Sequence, residues 1–180
     1  MTRTRRATVA MLLVGLAIFS SLYSTQAILP TLVRNMGLSS TEAAMTVSAA
    51  TGALALCVVP ASILSERFGR GRILLISAVA ATGVGLIVPL AQEGWQLIVV
   101  RGLQGALLSG APATAMAWLS EELDDKALPR AMGLYIAGTS VGGLTGRLIP
   151  TGLVEISTWR WALFGSALVS LAFATVSYTH

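Results

Sequence analysis

Charge is scarce in this chain of 180 residues: Asp, Glu, Lys and Arg together make up 11% of it, where a soluble domain carries about 25%. So few charges cannot clothe a water-facing surface when 54% of the residues are hydrophobic. Aromatic residues are few as well, at 6%, so Leu, Ala, Val, Ile and Gly supply the apolar surplus, as they do in helices that pack in lipid. There is one cysteine, Cys57, inside an apolar run. A single thiol builds neither a disulfide framework nor a thiolate metal cluster, and Cys57 reads as a small packing residue. The one histidine, His180, is the last residue. That removes the Ser–His pairing of an intramembrane serine protease and the His-rich ligand set of a zinc hydrolase. No glycine-rich stretch continues into the Lys-Ser or Lys-Thr pair of an ATP-binding P-loop. Glu121, Glu122, Asp124 and Asp125 would attract a divalent cation, but a solvated loop is the simpler reading. No enzyme, cofactor or metal is therefore expected.

The charges that are present fall in a pattern. Twelve Lys and Arg against eight Asp and Glu give a formal net charge of +4, and the pI near 10.0 invites a nucleic-acid reading. Position argues against it. Arg3, Arg5, Arg6, Arg67, Arg70, Arg72, Lys126 and Arg130 lie in three short segments before or between apolar runs, which is how orientation signals are placed in polytopic membrane proteins. Arg34 and Arg160 fall on the other side, and Arg101 and Arg147 inside or near the membrane. Both ends are then cytoplasmic. The opening MTRTRR followed by VAMLLVGLAIF has the form of a secretory signal, but apolar character resumes through AILPTLV, so the segment reads as a first membrane helix.

A hydrocarbon core about 30 Å thick asks for about 20 helical residues. By that measure the chain is one transmembrane domain, residues 1–180, with crossings at 9–32, 43–65, 73–91, 96–119, 131–153 and 161–180. Ser40 or Thr41 is the expected cap of the second helix. The predicted fold is an all-α membrane bundle of six helices. The count divides into two three-helix units of opposite topology, residues 9–91 and 96–180.

Several residues stand out on physical grounds. At the end of the second helix, Leu64, Glu66, Arg67, Gly69, Arg70 and Arg72 combine an acid, bases and glycine in a very short segment. It is either a latch between helix ends or a plain orientation signal. Arg101, deep in the fourth apolar run, costs several kcal/mol there unless it pairs, reaches the headgroups or faces an aqueous cavity. Gly138, Gly142 and Gly146, spaced by four, with Gly143 beside them, make a smooth helix face for close packing, static or moving. Tyr23 and Gln26, near Pro30, share one face of the first helix, and Tyr135 and Thr139 form an i, i+4 pair on the fifth. All four are candidates for lining a cavity, and Pro30 is placed to break its helix and free a carbonyl.

The segment Ser62 to Arg72 resembles the loop signature G-x-L-x-D-R-x-G-R-[RK] of the major facilitator superfamily through Leu64, Arg67, Gly69 and Arg70, with Glu66 at the acidic position. Ser62 stands at the first glycine and Gly71 at the second base, with Arg72 next. Arg101, Gln104 and Gly105 resemble the superfamily pattern R-x-x-Q-G. The glycine-rich fifth helix is similar to that of its exporters and antiporters, without the complete G-x-x-x-G-P. With YSTQAILP, RGLQG and GLYIAGTSVGG in order, the resemblance covers all six crossings and is nearest to bacterial 12-helix drug-and-metabolite exporters. It implies alternating-access transport of a small solute, driven by proton antiport, with Arg101 as the coupling residue.

A carrier of that type has twelve helices, so this chain reads as its amino-terminal half. The expected partners are membrane lipids, an unidentified small solute, protons as the coupling ion, and the missing carboxy-terminal half or a partner bundle, in a bacterial inner or cell membrane. The competing reading is a non-transporting membrane scaffold or assembly subunit, which would use the same small-residue stripe.

Overall fold

A computed structural model describes residues 3–179. His180, the last residue of the sixth expected crossing, and the first two residues lie outside the described part. Among the described residues the chain is helical without strands, and its helices assemble into six rods. Rod 1 is α1 (Arg3–Tyr23), a 3-10 turn (Gln26–Ile28) and α2 (Leu29–Met36). Rod 2 is α3 (Ser40–Phe68). Rod 3 is α4 (Arg70–Gly85) with a closing 3-10 turn (Val88–Leu90). Rod 4 is α5 (Gly94–Leu108) followed by α6 (Gly110–Glu122). Rods 5 and 6 are α7 (Leu128–Ile156) and α8 (Trp159–Thr179).

The rods overrun most expected boundaries by one to a few residues, because polar helix-formers continue a helix past the edge of the hydrocarbon. Ser39, rather than Ser40 or Thr41, caps α3. Its hydroxyl accepts from the Glu42 amide at 3.2 Å, while the Glu42 carboxylate accepts from the Ser39 amide at 2.8 Å, a reciprocal capping box. Gly37, at φ 67°, ends α2 in the left-handed region that favours glycine. Between α3 and α4 stands a single residue, Gly69 at φ 95°, so the expected loop is one tight turn.

Two breaks interrupt rods that the apolar runs present as continuous. A proline ring clashes with the carbonyl four residues back and offers no N–H to it. Pro30 therefore disrupts the chain around Gln26, and the interruption in rod 1 falls upstream of the proline itself. Pro112 acts in the same way on Leu108, where α5 ends. Pro60 and Pro150 are carried inside unbroken helices.

Thr4–Met36, Ser40–Phe68, Arg70–Leu90 and Trp159–Ser177 are long and apolar enough to cross a membrane. Rod 4 is divided by its break, and α7 carries Arg147 among its glycines. The packing pattern supports the division into two three-helix units. α1 lies along α7 and α3 along α5, α4 packs on α6 and α8, and α1 also meets α8. Exchanging rods 1, 2 and 3 for rods 4, 5 and 6 maps these pairings onto one another. Two apolar clusters fill the interior. One is built on Met11, Ile18, Leu74, Leu108 and Leu119, the other on Ile28, Leu32, Leu97, Trp159 and Leu163. Leu56, Val59, Ile63 and Phe68 of α3 remain exposed, a surface that water would not tolerate and that lipid or another helix would cover.

Candidate functional site

The break in rod 1 positions the first site. Where α1 ends at Tyr23, its last carbonyls have no intrahelical partner. Arg101, on α5, fills that need. Its Nη1 donates to the carbonyl of Ser21 at 3.1 Å and to the Gln104 side-chain oxygen, and its Nη2 donates to the carbonyl of Leu22. Gln104 continues the clamp, donating from Nε2 to the Ser21 hydroxyl at 2.7 Å and to the Ala81 carbonyl at 3.2 Å. One guanidinium and one amide thus tie rods 1, 3 and 4 together at the joint.

Arg101 has no exposed surface. It neither reaches the headgroups nor lies open to an aqueous cavity, because the carbonyls it satisfies are inside the bundle. Its acceptors are neutral oxygens, and its Nε has no partner. A small cavity of about 10 Å³ beside Gln104 is lined by Ser21, Ser24 and Ser166 among others, and the Ser166 hydroxyl is buried without a partner.

A second cluster lies on the exposed side of rods 1 and 5. Arg147 of α7 donates from Nε to the side-chain oxygen of Gln26 at 3.0 Å and from Nη1 to the Gly143 carbonyl at 3.1 Å. Its guanidinium carbon lies 4.3 Å from the centre of the Tyr23 ring, a cation–π distance. A Cβ on Gly143 would stand 3.4 Å from the Tyr23 ring, an ordinary van der Waals contact, so this part of α7 lies directly against the stack. Tyr23 and Gln26 are therefore together, joined by Arg147. Spacing on one helix could not nominate Arg147 as their partner, although an arginine inside an apolar run was a signal in itself. On an insertion scale a lipid-facing arginine at mid-helix costs about 2.5–3.5 kcal/mol, which argues for a polar or protein-covered setting for this face.

Tyr135 and Thr139 do not join them. Tyr135 is buried in the first apolar cluster with its hydroxyl unpartnered, and Thr139 turns its hydroxyl to the Ile136 carbonyl at 2.7 Å. Tyr135 thus belongs to the interface of α7 with α1, while Thr139 is only partly buried. The glycine stripe lies on that interface too. A Cβ at Gly138, Gly142 or Gly146 would come within 2.5, 2.8 and 2.5 Å of the carbonyl oxygens of Leu12, Leu16 and Ser20 respectively. Gly105 plays the same part where α5 meets α3, because a Cβ there would overlap the backbone of Ala50.

At the turn between α3 and α4, Arg70 meets Glu121 at the end of α6, 3.3 Å from Nε to carboxylate. This pair latches the end of rod 3 to the end of rod 4. Leu64, Glu66, Arg67 and Arg72 are exposed around it, and the Gly69 amide donates to the Ser65 carbonyl at 3.0 Å. Gly71, at the position of the second base in the signature, faces the Trp118 indole, which a Cβ would approach to 3.0 Å. The acidic run nearby assembles no metal-binding cluster among the described residues. At the opposite end, Arg160 stacks on Trp159 and donates to the carbonyls of Pro89 and Ala91, closing rod 3 onto rod 6.

These features define a multi-pass α-helical membrane bundle with small-residue interfaces and a buried arginine at a broken helix. Comparison with known families narrows the class: the model of the Major Facilitator Superfamily matches residues 11–179. The chain belongs to that superfamily. It is 34% identical over 94% of its length to the inner membrane transport protein YnfM of Escherichia coli, covering 40% of that protein. It is 33% identical over 97% of its length to the MFS-type transporter YybF of Bacillus subtilis, covering 43% of it. A probable 4-methylmuconolactone transporter of Cupriavidus pinatubonensis is 29% identical over 80% of the chain. The chain spans about two fifths of the length of the first two relatives.

Proposed function

We propose that this chain is the first six-helix bundle of a secondary transporter, which binds a small solute against a second bundle and exposes it to each side of the membrane in turn. The observation that carries the reading is the Arg101–Gln104 clamp on the joint of rod 1. Non-helical backbone at membrane depth is tolerated where protein buries it, and discontinuous helices are a recurring element of transporter sites. A clamp that joins three rods at such a joint makes their relative positions depend on two side chains. The lengths of the relatives leave room for a second bundle, and the exposed face of α3 is a surface on which one would pack.

Proton antiport in the export direction is the coupling we favour, in a bacterial inner membrane with both ends cytoplasmic. The basic residues near rod ends support that orientation. In this reading Arg101 acts as a fixed positive charge, since a guanidinium stays protonated. The eight acids of the chain all lie at helix ends or in connections. The exchanged proton is then carried by the second bundle or by the solute.

The test has two parts. Intact-mass analysis of the native product in membranes should give more than twice the 18.7 kDa of this chain. A product of 18.7 kDa would require a separately encoded second bundle. In proteoliposomes holding the native-length protein, an imposed pH gradient should drive solute efflux, and Arg101→Ala should abolish efflux while leaving the protein inserted. Insertion without any solute exchange in the unaltered protein would favour the scaffold. Equal exchange after Arg101→Ala would remove the coupling role.

A further inference from the structure

We infer that Arg147 recognises a negative charge on the carried solute, and that the solute class is a small organic carboxylate. The inference rests on the transport reading and adds the chemistry of the ligand. Arg147 lies nine residues before Ile156, the end of α7, which is about 14 Å at 1.5 Å per residue. It is exposed there.

The site around it is built rather than incidental. Gln26 holds Nε, the Gly143 carbonyl holds Nη1, and the Tyr23 ring covers one face of the guanidinium. These contacts use two of the five N–H donors of a guanidinium. The remaining three are on the terminal nitrogens, the edge that pairs with both oxygens of a carboxylate.

The companions of Arg147 in this cluster are neutral, so one positive charge is available to the ligand. That matches a monoanion better than a phosphate dianion. Arg101 offers no competing site, because it is wholly buried and its terminal nitrogens already donate to carbonyl and amide oxygens.

Equilibrium dialysis of the purified native-length protein in detergent, with radiolabelled benzoate, its neutral isostere benzamide, and phenylphosphonate, tests the assignment. Benzoate should bind at least tenfold tighter than benzamide and tighter than phenylphosphonate. Arg147→Gln should erase the preference over benzamide, Arg147→Lys should keep part of it, and Arg34→Gln, at an exposed arginine of α2, should leave it intact. Retention of helical circular dichroism shows that each variant is folded. A wild-type protein that does not distinguish benzoate from benzamide overturns the inference, as does an Arg147→Gln variant that still does. Tighter binding of phenylphosphonate overturns the carboxylate class in favour of phosphate.

Counterflow in proteoliposomes separates this inference from the transport reading. Selective benzoate binding without counterflow would leave the anion site standing and remove transport. Counterflow of benzylammonium with no benzoate preference would do the reverse.

Discussion

The contact between α1 and α7 makes a quantitative prediction, because neighbouring glycines on one helix should respond in opposite ways to the same substitution. At Gly138 an added Cβ would lie 2.5 Å from the Leu12 carbonyl oxygen and 3.2 Å from the Leu12 Cα. Ordinary carbon–oxygen contacts begin near 3.3 Å, so Gly138→Ala must part the two backbones by roughly 0.8 Å. A gap of that size forfeits about a quarter to a half of the dispersion energy of the atoms it separates. Overpacking of this kind costs about 1–3 kcal/mol. Alanine returns about 1 kcal/mol of helix propensity, leaving a net destabilisation of roughly 0–2 kcal/mol.

At Gly133, five residues earlier and exposed, a Cβ meets nothing within 4 Å. Only the propensity gain applies, and Gly133→Ala should stabilise by up to about 1 kcal/mol. The assay is reversible unfolding in mixed micelles, following helical circular dichroism while the denaturing detergent is titrated. Gly133→Ala should move the midpoint up, and Gly138→Ala and Gly146→Ala should move it down or leave it in place. If Gly138→Ala were as stabilising as Gly133→Ala, the stripe would not be a backbone contact and the placement of rod 5 on rod 1 would be refuted.

Gly105→Ala should be more damaging than any member of the stripe, since its Cβ would overlap the Ala50 backbone from which α3 cannot turn aside; loss of monodisperse protein in gel filtration measures it. Ser39→Ala removes the hydroxyl of the capping box and should cost about 1 kcal/mol in the same unfolding titration. Glu121→Gln breaks the ion pair to Arg70, which is partly exposed on both sides. Its cost should be below about 1 kcal/mol and should shrink further in high salt, as unfolding at two ionic strengths will show.

The six rods were legible in the sequence because long apolar runs and short polar connections leave few alternatives in a bilayer. The interruptions were less so. Pro30 marked the first, but the disturbed backbone falls where the ring clashes, at Gln26 and not at the proline. The break after Leu108 was hidden because Ser109, Gly110 and Pro112 sit inside an apolar run. The glycine spacing showed that one face of α7 is smooth, and only the packed bundle shows that α1 is what lies on it. Tyr135, buried with its hydroxyl unpartnered, shows the limit of such spacing, since helical periodicity groups residues without saying whether their face turns to a cavity or to a neighbour. The partner of Tyr23 and Gln26 was out of reach for a related reason. Arg147 is 121 residues beyond Gln26, and no local pattern connects them.

The two arginines at membrane depth divide the functional problem between them. Removing Arg101 would strand the Leu22 carbonyl and the Gln104 side-chain oxygen, at about 1–3 kcal/mol each, while the Ser21 carbonyl would keep the Ser24 hydroxyl as a donor. It would also recover the cost of keeping a charge in the protein interior, itself several kcal/mol. These terms are of similar size and opposite sign, so the contribution of Arg101 to stability alone is small. What the clamp provides instead is geometry: it fixes the joint of rod 1 relative to rods 3 and 4. Arg147 is the reverse case, exposed and with donors to spare, so it has capacity for a ligand that Arg101 lacks. The proposed mechanism therefore places solute contact on Arg147 and conformational control on Arg101. A single exchange assay comparing Arg147→Gln with Arg101→Ala should see the first change apparent solute affinity and the second change turnover.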